Sequence, residues 1–184
     1  VDAQGNAVSI TTTLNSYFGC KVFVDGAGFF LNNEMDDFSV KSGVPNQFGL
    51  VGSEANEIRP EKRMLSSMTP TIVEKDGDLF MVLGSPGGST IITSVFQTIM
   101  NVVDHQMTLQ EAVNAKRLHN QRLPDLLLME DNALNDKVAA KLKQQGYKMQ
   151  SRGTIGRVDA ILIRPDGTLE GAADGRGDDA AIGF

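Results

Sequence analysis

Between Ala7 and Leu14 the chain reads AVSITTTL, with Val8, Ile10 and Thr12 alternating against Ser9, Thr11 and Thr13. β-Branched residues at period two predict a strand with one more polar face. A stretch punctuated by Gly19, Gly26 and Gly28 follows, then the short apolar run Phe29-Phe30-Leu31. From Asn32 to Arg63 there is little periodicity, and Gly43, Pro45, Gly49, Gly52 and Pro60 break it up. A long loop is expected there, and loops of that length inside a compact domain are usually functional or disordered.

The next pattern is sharper. Thr71 to Lys75 and Leu79 to Leu83 flank Asp76-Gly77-Asp78, which predicts a β-hairpin with Asp-Gly in the turn. The second of these strands is almost continuously apolar, as expected for a strand buried on both faces. It runs through Gly84-Ser85-Pro86-Gly87-Gly88-Ser89 into a helix over about Thr90 to Asp104. Ile91, Val95, Ile99 and Val102 form one stripe at helical spacing, and Ile92, Phe96, Met100 and Val103 an adjacent one. Together they predict a wide buried face.

Thr108-Leu109-Gln110-Glu111 is a capping box that opens a short helix to about Lys116. A third helix is expected over about Asn135 to Gln145, ended by Gly146. Val158 to Arg164 and Thr168 to Ala173 flank Pro165-Asp166-Gly167 as a second hairpin. Strands and helices come in blocks, so the fold class is α+β, with an antiparallel sheet layered against helices.

Composition narrows the function classes. The 184 residues carry 17 Lys+Arg against 23 Asp+Glu, a net charge of −6 with no basic cluster, which argues against nucleic acid or an anionic membrane surface as partner. At 41% hydrophobic and 22% charged, the chain has the makings of a packed core and not of a disordered segment. The single cysteine, Cys20, excludes an internal disulfide framework and a Cys-rich metal site. No apolar run approaches the roughly 20 residues of a membrane span. The opening Val1-Asp2-Ala3-Gln4-Gly5-Asn6 reads as the middle of a strand-and-turn region, without initiator Met or signal peptide, so the chain is expected to be cut from something longer.

Four segments have residues suited to chemistry, each with a plainer reading. Gly87-Gly88 would let a ligand approach the backbone at a helix N-terminus, or merely allow a tight strand-to-helix turn. No Lys follows, so it is no Walker-type phosphate loop. Ser66-Ser67 could donate to a carboxylate, or cap a turn. Asn33-Glu34-Met35-Asp36-Asp37 gathers three carboxylates, enough to hold an ammonium group or a hard cation, or simply a solvated acidic loop. Thr11-Thr12-Thr13 with Asn15 could supply polar groups at a strand end. His105 and His119 show no catalytic or metal spacing and are read as structural. Arg176-Gly177-Asp178 is a cell-adhesion tripeptide short enough to occur by chance.

Taken together, Leu14-Asn15, Leu31-Asn32-Asn33-Glu34-Met35-Asp36-Asp37-Phe38, Gly43-Val44-Pro45-Asn46, Gly49-Leu50-Val51-Gly52, Lys62-Arg63, Leu65-Ser66-Ser67-Met68, Pro70-Thr71-Ile72-Val73 and Gly84-Ser85-Pro86-Gly87-Gly88-Ser89 resemble the small, C-terminal subunit of the γ-glutamyltranspeptidases over residues 1–184. The resemblance implies an N-terminal nucleophile hydrolase, with this chain forming part of an αββα four-layer sandwich of mostly antiparallel sheets. It implies a self-cleaving precursor, a large-subunit partner, no cofactor and no metal. The implied reaction moves the γ-glutamyl group of glutathione through an ester on an N-terminal Thr to water, amino acids or peptides.

By position, the resemblance gives Thr13 a role in activating the nucleophile. Asn15, Glu34 and Asp37 would hold the substrate α-amino group, where Glu34 stands in place of the Gln of some members. Ser66 and Ser67 would serve the α-carboxylate, and Gly87 and Gly88 the oxyanion. Residues 44–52 match a lid loop, with Phe48 where some bacterial members carry Tyr. The nucleophile itself would lie upstream of Val1, so the chain alone is expected to be inactive. Isolated, it is expected to self-associate through apolar surface that the large subunit would cover. Bacterial members are usually periplasmic or secreted, and that location is expected here. A glutaryl-type β-lactam acylase is the alternative enzyme, but glutaryl lacks the α-amine that Asn15, Glu34 and Asp37 would hold. A non-catalytic γ-glutamyl-binding domain is the alternative outside catalysis.

Overall fold

The computed structural model describes residues 1–183. The chain divides into two compact units. One is built from Thr12–Ser67 and Gln121–Pro124; the other from Val1–Thr11, Met68–Asn120 and the chain from Asp125 onward.

The first unit has little regular structure, as the broken periodicity predicts. Strands β1 (Phe23–Val24) and β2 (Phe29–Phe30) form a small antiparallel hairpin. The Phe18 and Phe23 rings lie 5.5 and 5.3 Å from that of Phe30. Gly19 adopts φ +53°, and a side chain there would collide with the Leu31 carbonyl, so only glycine fits. The rest is loop and two single 3-10 turns, Glu34–Asp37 and Glu54–Asn56.

The second unit holds the core. Strands β3 (Thr71–Lys75) and β4 (Asp78–Gly84) form the predicted hairpin. Asp76 and Gly77 both take positive φ, +57° and +93°, as a two-residue hairpin of primed type demands. Met81, Val82 and Leu83 are buried in succession, so β4 is covered on both faces as its apolar run predicts. Helix α1 (Ile91–Val103) follows, then α2 (Leu109–Asn114), opened by the capping box: Thr108 Oγ1 accepts from Glu111 N, and Thr108 N donates to Glu111 Oε2 at 2.9 Å. Strands β5 (Leu118–His119) and β6 (Leu127–Met129), helix α3 (Asp136–Gln144) and strand β7 (Met149–Ser151) come next. Strands β8 (Asp159–Ile163) and β9 (Leu169–Ala172) complete the unit.

The main sheet runs β3-β4-β8-β9, antiparallel throughout. Met81, Leu83, Val158, Ala160 and Ala172 meet Val95, Leu109 and Val113 of α1 and α2 in one buried cluster. A second sheet runs β5-β6-β7, where β6 and β7 are parallel across α3. Sequence periodicity missed it because its strands are two or three residues long, too short to show a period of two.

Two expectations change. Among the described residues, Ala7–Leu14 is not a strand. It has no backbone ladder; instead Ser9 Oγ donates to Leu83 O and accepts from Thr71 N, so side chain replaces main chain at the end of the β3–β4 pair. The two apolar stripes of α1 do not form one buried face either. Ile91 and Val95 are buried, but Ile92, Phe96 and Val103 are more than half exposed. Ser94 and Thr98 take the inner positions instead, their hydroxyls satisfied by Thr90 O and Ser94 O one turn back.

The second unit also holds a buried ionic cluster. Arg117 Nη2 meets Asp174 Oδ2 at 2.8 Å, Arg176 Nη2 meets Glu130 Oε2 at 2.6 Å, and Arg176 Nη1 meets Asp174 Oδ1 at 2.9 Å. Both guanidinium groups also donate to Val113 O at the end of α2. Burial alone would raise the Glu130 carboxyl, but bonds from Arg176, Ile155 N and Arg117 N hold it below the usual carboxylate range. Burial likewise opposes Asp174, and Val158 N with Arg117 and Arg176 outweighs it. The adhesion-like tripeptide is thereby accounted for, since its Arg176 is locked inside this cluster.

Two outcomes follow from the packing. Leu109→Ala, at a position with no exposed surface, should lower stability to urea by about 2–5 kcal/mol. Carboxyls held below their unfolded values stabilise the fold above the unfolded pKa of roughly 4 and lose that contribution as pH falls through the folded value. Thermal melting should therefore drop steeply below about pH 4, and Glu130→Gln should weaken that dependence.

Candidate active site

The acidic turn belongs to the first unit. Asn33 anchors its entrance: Asn33 N donates to Leu14 O, Ser16 N donates to Asn33 Oδ1, and Asn33 Nδ2 donates to Ser16 Oγ, all at 3.0–3.1 Å. Asn15, at φ +73°, donates from Nδ2 to Asn33 O. Its backbone N–H donates to Thr13 Oγ1 at 2.8 Å, so Thr13 and Asn15 are joined directly. The left-handed conformation suits Asn better than most side chains.

The Glu34–Asp37 turn then brings carboxylates together. Asp37 Oδ2 accepts from Ser67 Oγ at 2.8 Å, joining two predicted site residues 30 positions apart. Asn56 Nδ2 donates to Asp37 O and fixes the end of the turn. Glu34 Oε1 is buried with no hydrogen-bond partner among the described residues. Burial raises the Glu34 carboxyl above its ordinary range, and the adjacent Asp37 carboxylate raises it further. Asp36 Oδ2 is buried and unpartnered as well. Half-buried carboxylate oxygens without a partner can accept from a cationic donor. Among the described residues no group of three or more acidic, His or Cys side chains is placed to hold a metal ion. Ser66 is exposed beside Ser67.

Residues 44–52 fold over as a compact loop. Pro45 and Val51 bridge antiparallel, and Asn46 Oδ1 accepts from both Phe48 N and Leu50 N at 3.0 Å. Gln47 N reaches Asp36 Oδ1 at 3.4 Å, and Gln121 Nε2 donates to Phe48 O at 3.2 Å. Sequence reasoning missed Asn33, Asn46 and Gln121 as organisers of this region. Pro45-Asn46 is a turn signal, but nothing local marks Gln121, which lies 73 residues from its partner.

Gly87 and Gly88 belong to the second unit, between the end of β4 and α1. Their φ values are +142° and +58°, a conformation that L side chains rarely adopt. The turn is closed by Thr90, whose N and Oγ1 both donate to Gly87 O, at 3.1 and 2.8 Å. Neither glycine N–H donates a hydrogen bond among the described residues. Consecutive unpaired amides at a turn of this kind suit a developing negative charge. His119 is buried and its Nδ1 bonds Thr93 Oγ1 at 2.9 Å, in keeping with a structural role.

The family model for γ-glutamyltranspeptidase matches residues 1–184. The chain belongs to the γ-glutamyltranspeptidase family. It is 54% identical over 181 residues to a glutathione hydrolase proenzyme of Pseudomonas aeruginosa, and 48% identical over 185 residues to one of Escherichia coli K12. These alignments cover 96% and 100% of this chain, but the chain spans only 32% of either relative. A solved γ-glutamyltranspeptidase from Pseudomonas nitroreducens, complexed with L-DON, superposes with a TM-score of 0.93 at 51% identity, covering 100% of this chain and 96% of that one. The fold class is accordingly α+β, of the N-terminal nucleophile hydrolase kind.

The Glu34 shift makes a checkable statement. A carboxyl raised above its unfolded value costs stability at neutral pH, and the cost vanishes as pH falls through the folded value to the unfolded one, roughly 4.3. Glu34→Gln should therefore melt at a higher temperature than the parent at pH 7, with the difference closing by about pH 4.

Proposed function

We propose that this chain is the small subunit of an enzyme that cleaves γ-glutamyl amides such as glutathione and passes the acyl group to water, amino acids or peptides. The observation that carries the reading is the Glu34–Asp37–Ser67 arrangement within a chain of this family: an unfilled, half-buried acceptor set suited to a primary ammonium. The remainder of a proenzyme would supply a large subunit as partner and, upstream of Val1, the attacking threonine. A periplasmic or extracellular location fits this reading.

In the proposed reaction the threonine hydroxyl adds to the γ-carbonyl carbon while its own α-amine takes the proton. The carbonyl oxygen becomes an oxyanion facing the Gly87 and Gly88 N–H groups. Collapse breaks the C–N bond, and the departing amine takes the proton from the α-ammonium, leaving a γ-glutamyl ester. Water or an acceptor amine then attacks that ester by the same steps. Thr13 Oγ1 accepts from Asn15 N, which leaves its own proton to donate to the nucleophile oxygen. Asn15, Glu34 and Asp37 hold the substrate ammonium, and Ser66 and Ser67 hold its carboxylate; Ser67 would divide its bonding between that group and Asp37.

On the full-length, matured protein, Asp37→Asn should raise KM for a γ-glutamyl anilide by about 10- to 100-fold. A glutaryl anilide, identical but for the α-amine, should be affected far less. Equal losses on both substrates would show that Asp37 does not read the ammonium, and a parent preference for glutaryl would favour an acylase instead.

A further inference from the structure

The segment Ile155–Val158 leads into β8 without strand pairing of its own, yet both ends are fully buried. Its backbone is held by side chains. Ile155 N donates to Glu130 Oε1 at 2.9 Å, Ile155 O accepts from Arg117 Nη1 at 2.9 Å, and Val158 N donates to Asp174 Oδ2 at 2.8 Å. Three members of the buried ionic cluster thus grip this strap directly. Arg176, bonded to both Glu130 and Asp174, fixes the two carboxylates that do the gripping.

The middle of the strap lies against the glycine turn. A Cβ placed on Gly87 would stand 3.2 Å from Gly156 Cα and 3.6 Å from Gly156 N. Gly156 is itself at φ +64°, and a side chain there would collide with Ser94 Oγ of α1. Arg157 N donates to Ser85 Oγ at 2.9 Å, and Ser85 Oγ donates to Pro86 O at 2.7 Å, tying the strap to the residues just before Gly87. Ser85 is buried. Gly87, with no side chain of its own, is flanked by Thr90 on one side and this strap on the other.

We propose that Arg117, Glu130, Asp174 and Arg176 are positioning residues for catalysis, holding the Gly87-Gly88 amides in place through the Ile155–Val158 strap and Ser85. The inference rests on the oxyanion reading of Gly87 and Gly88 given above. Aligned amides act only on charge that develops during reaction, so their misalignment lowers kcat and leaves ground-state binding largely alone. A purely structural cluster would instead change how much protein folds, with each folded molecule keeping its full rate.

The test uses the full-length matured protein and a γ-glutamyl anilide, with kcat expressed per titrated active site. Turnover by the unsubstituted protein is read first, and its absence would overturn the oxyanion reading itself. Ser85→Ala cuts the tether without touching the charges, and Glu130→Gln loosens the grip on Ile155. Each should lower kcat by roughly 10- to 100-fold while KM stays within about twofold. Hydrogen exchange over a peptide covering 84–94 should be several-fold faster in both variants, matured or not. A kcat per site within twofold of the parent for Ser85→Ala, a loss confined to KM, or unchanged exchange over 84–94 would overturn the proposal. Should Glu130→Gln fail to fold, Ser85→Ala alone decides the outcome.

Discussion

Two guanidinium groups and two carboxylates, none more than 10% exposed at the side chain, form one ion-paired cluster on which the surrounding backbone depends. Arg117, Glu130, Asp174 and Arg176 come from three separate stretches of sequence, between α2 and β5, after β6, and after β9. Removing one member of such a group leaves a buried charge uncompensated, at a cost of about 3–5 kcal/mol. Between them the four satisfy the carbonyls left open at the end of α2 and the amides of Ile155 and Val158. These are main-chain groups that no sheet reaches. The cluster therefore does for irregular backbone what a hydrogen-bond ladder does for strands.

The acidic turn is its opposite in electrical terms. Around Arg117 and Arg176 two positive charges meet two negative ones, and both carboxyls lie below their ordinary range. Around Glu34, burial and then the neighbouring Asp37 carboxylate push the group up. The first sets opposite charges against each other, although Arg117 Nε finds no partner among the described residues; the second sets two carboxyls side by side. That difference explains why a count of charged residues says so little.

Much of the fold was legible from local chemistry. The Asp76-Gly77 turn, the Thr108–Glu111 capping box, the apolar run of β4 and the Asn135 start of α3 each depend on neighbours within a few residues. The α1 faces were not, because Ile92 and Phe96 are as apolar as Ile91 and Val95; only what lies opposite decides which stripe is covered. Ala7–Leu14 carries a strand's composition, but a strand also needs a partner, and Ser9 bonds the β3–β4 pair through its side chain instead. In the candidate site, motif order singled out Thr13, Asn15, Glu34, Asp37, Ser66, Ser67, Gly87 and Gly88. It could not show that Ser67 meets Asp37, that Asn33 pins Asn15, or that Gln121 reaches Phe48, since those bonds span 18 to 73 residues.

The sequence by itself determined many of the local conformations, the family and the residue types available for chemistry. Propensity, turn geometry and motif order are properties of short stretches read in series. Only the tertiary structure decided which carboxyls meet an opposite charge and which sit beside another carboxyl. A carboxylate's state depends on what surrounds it in space: Glu130 has two backbone amides and Arg176, while Glu34 has Asp37.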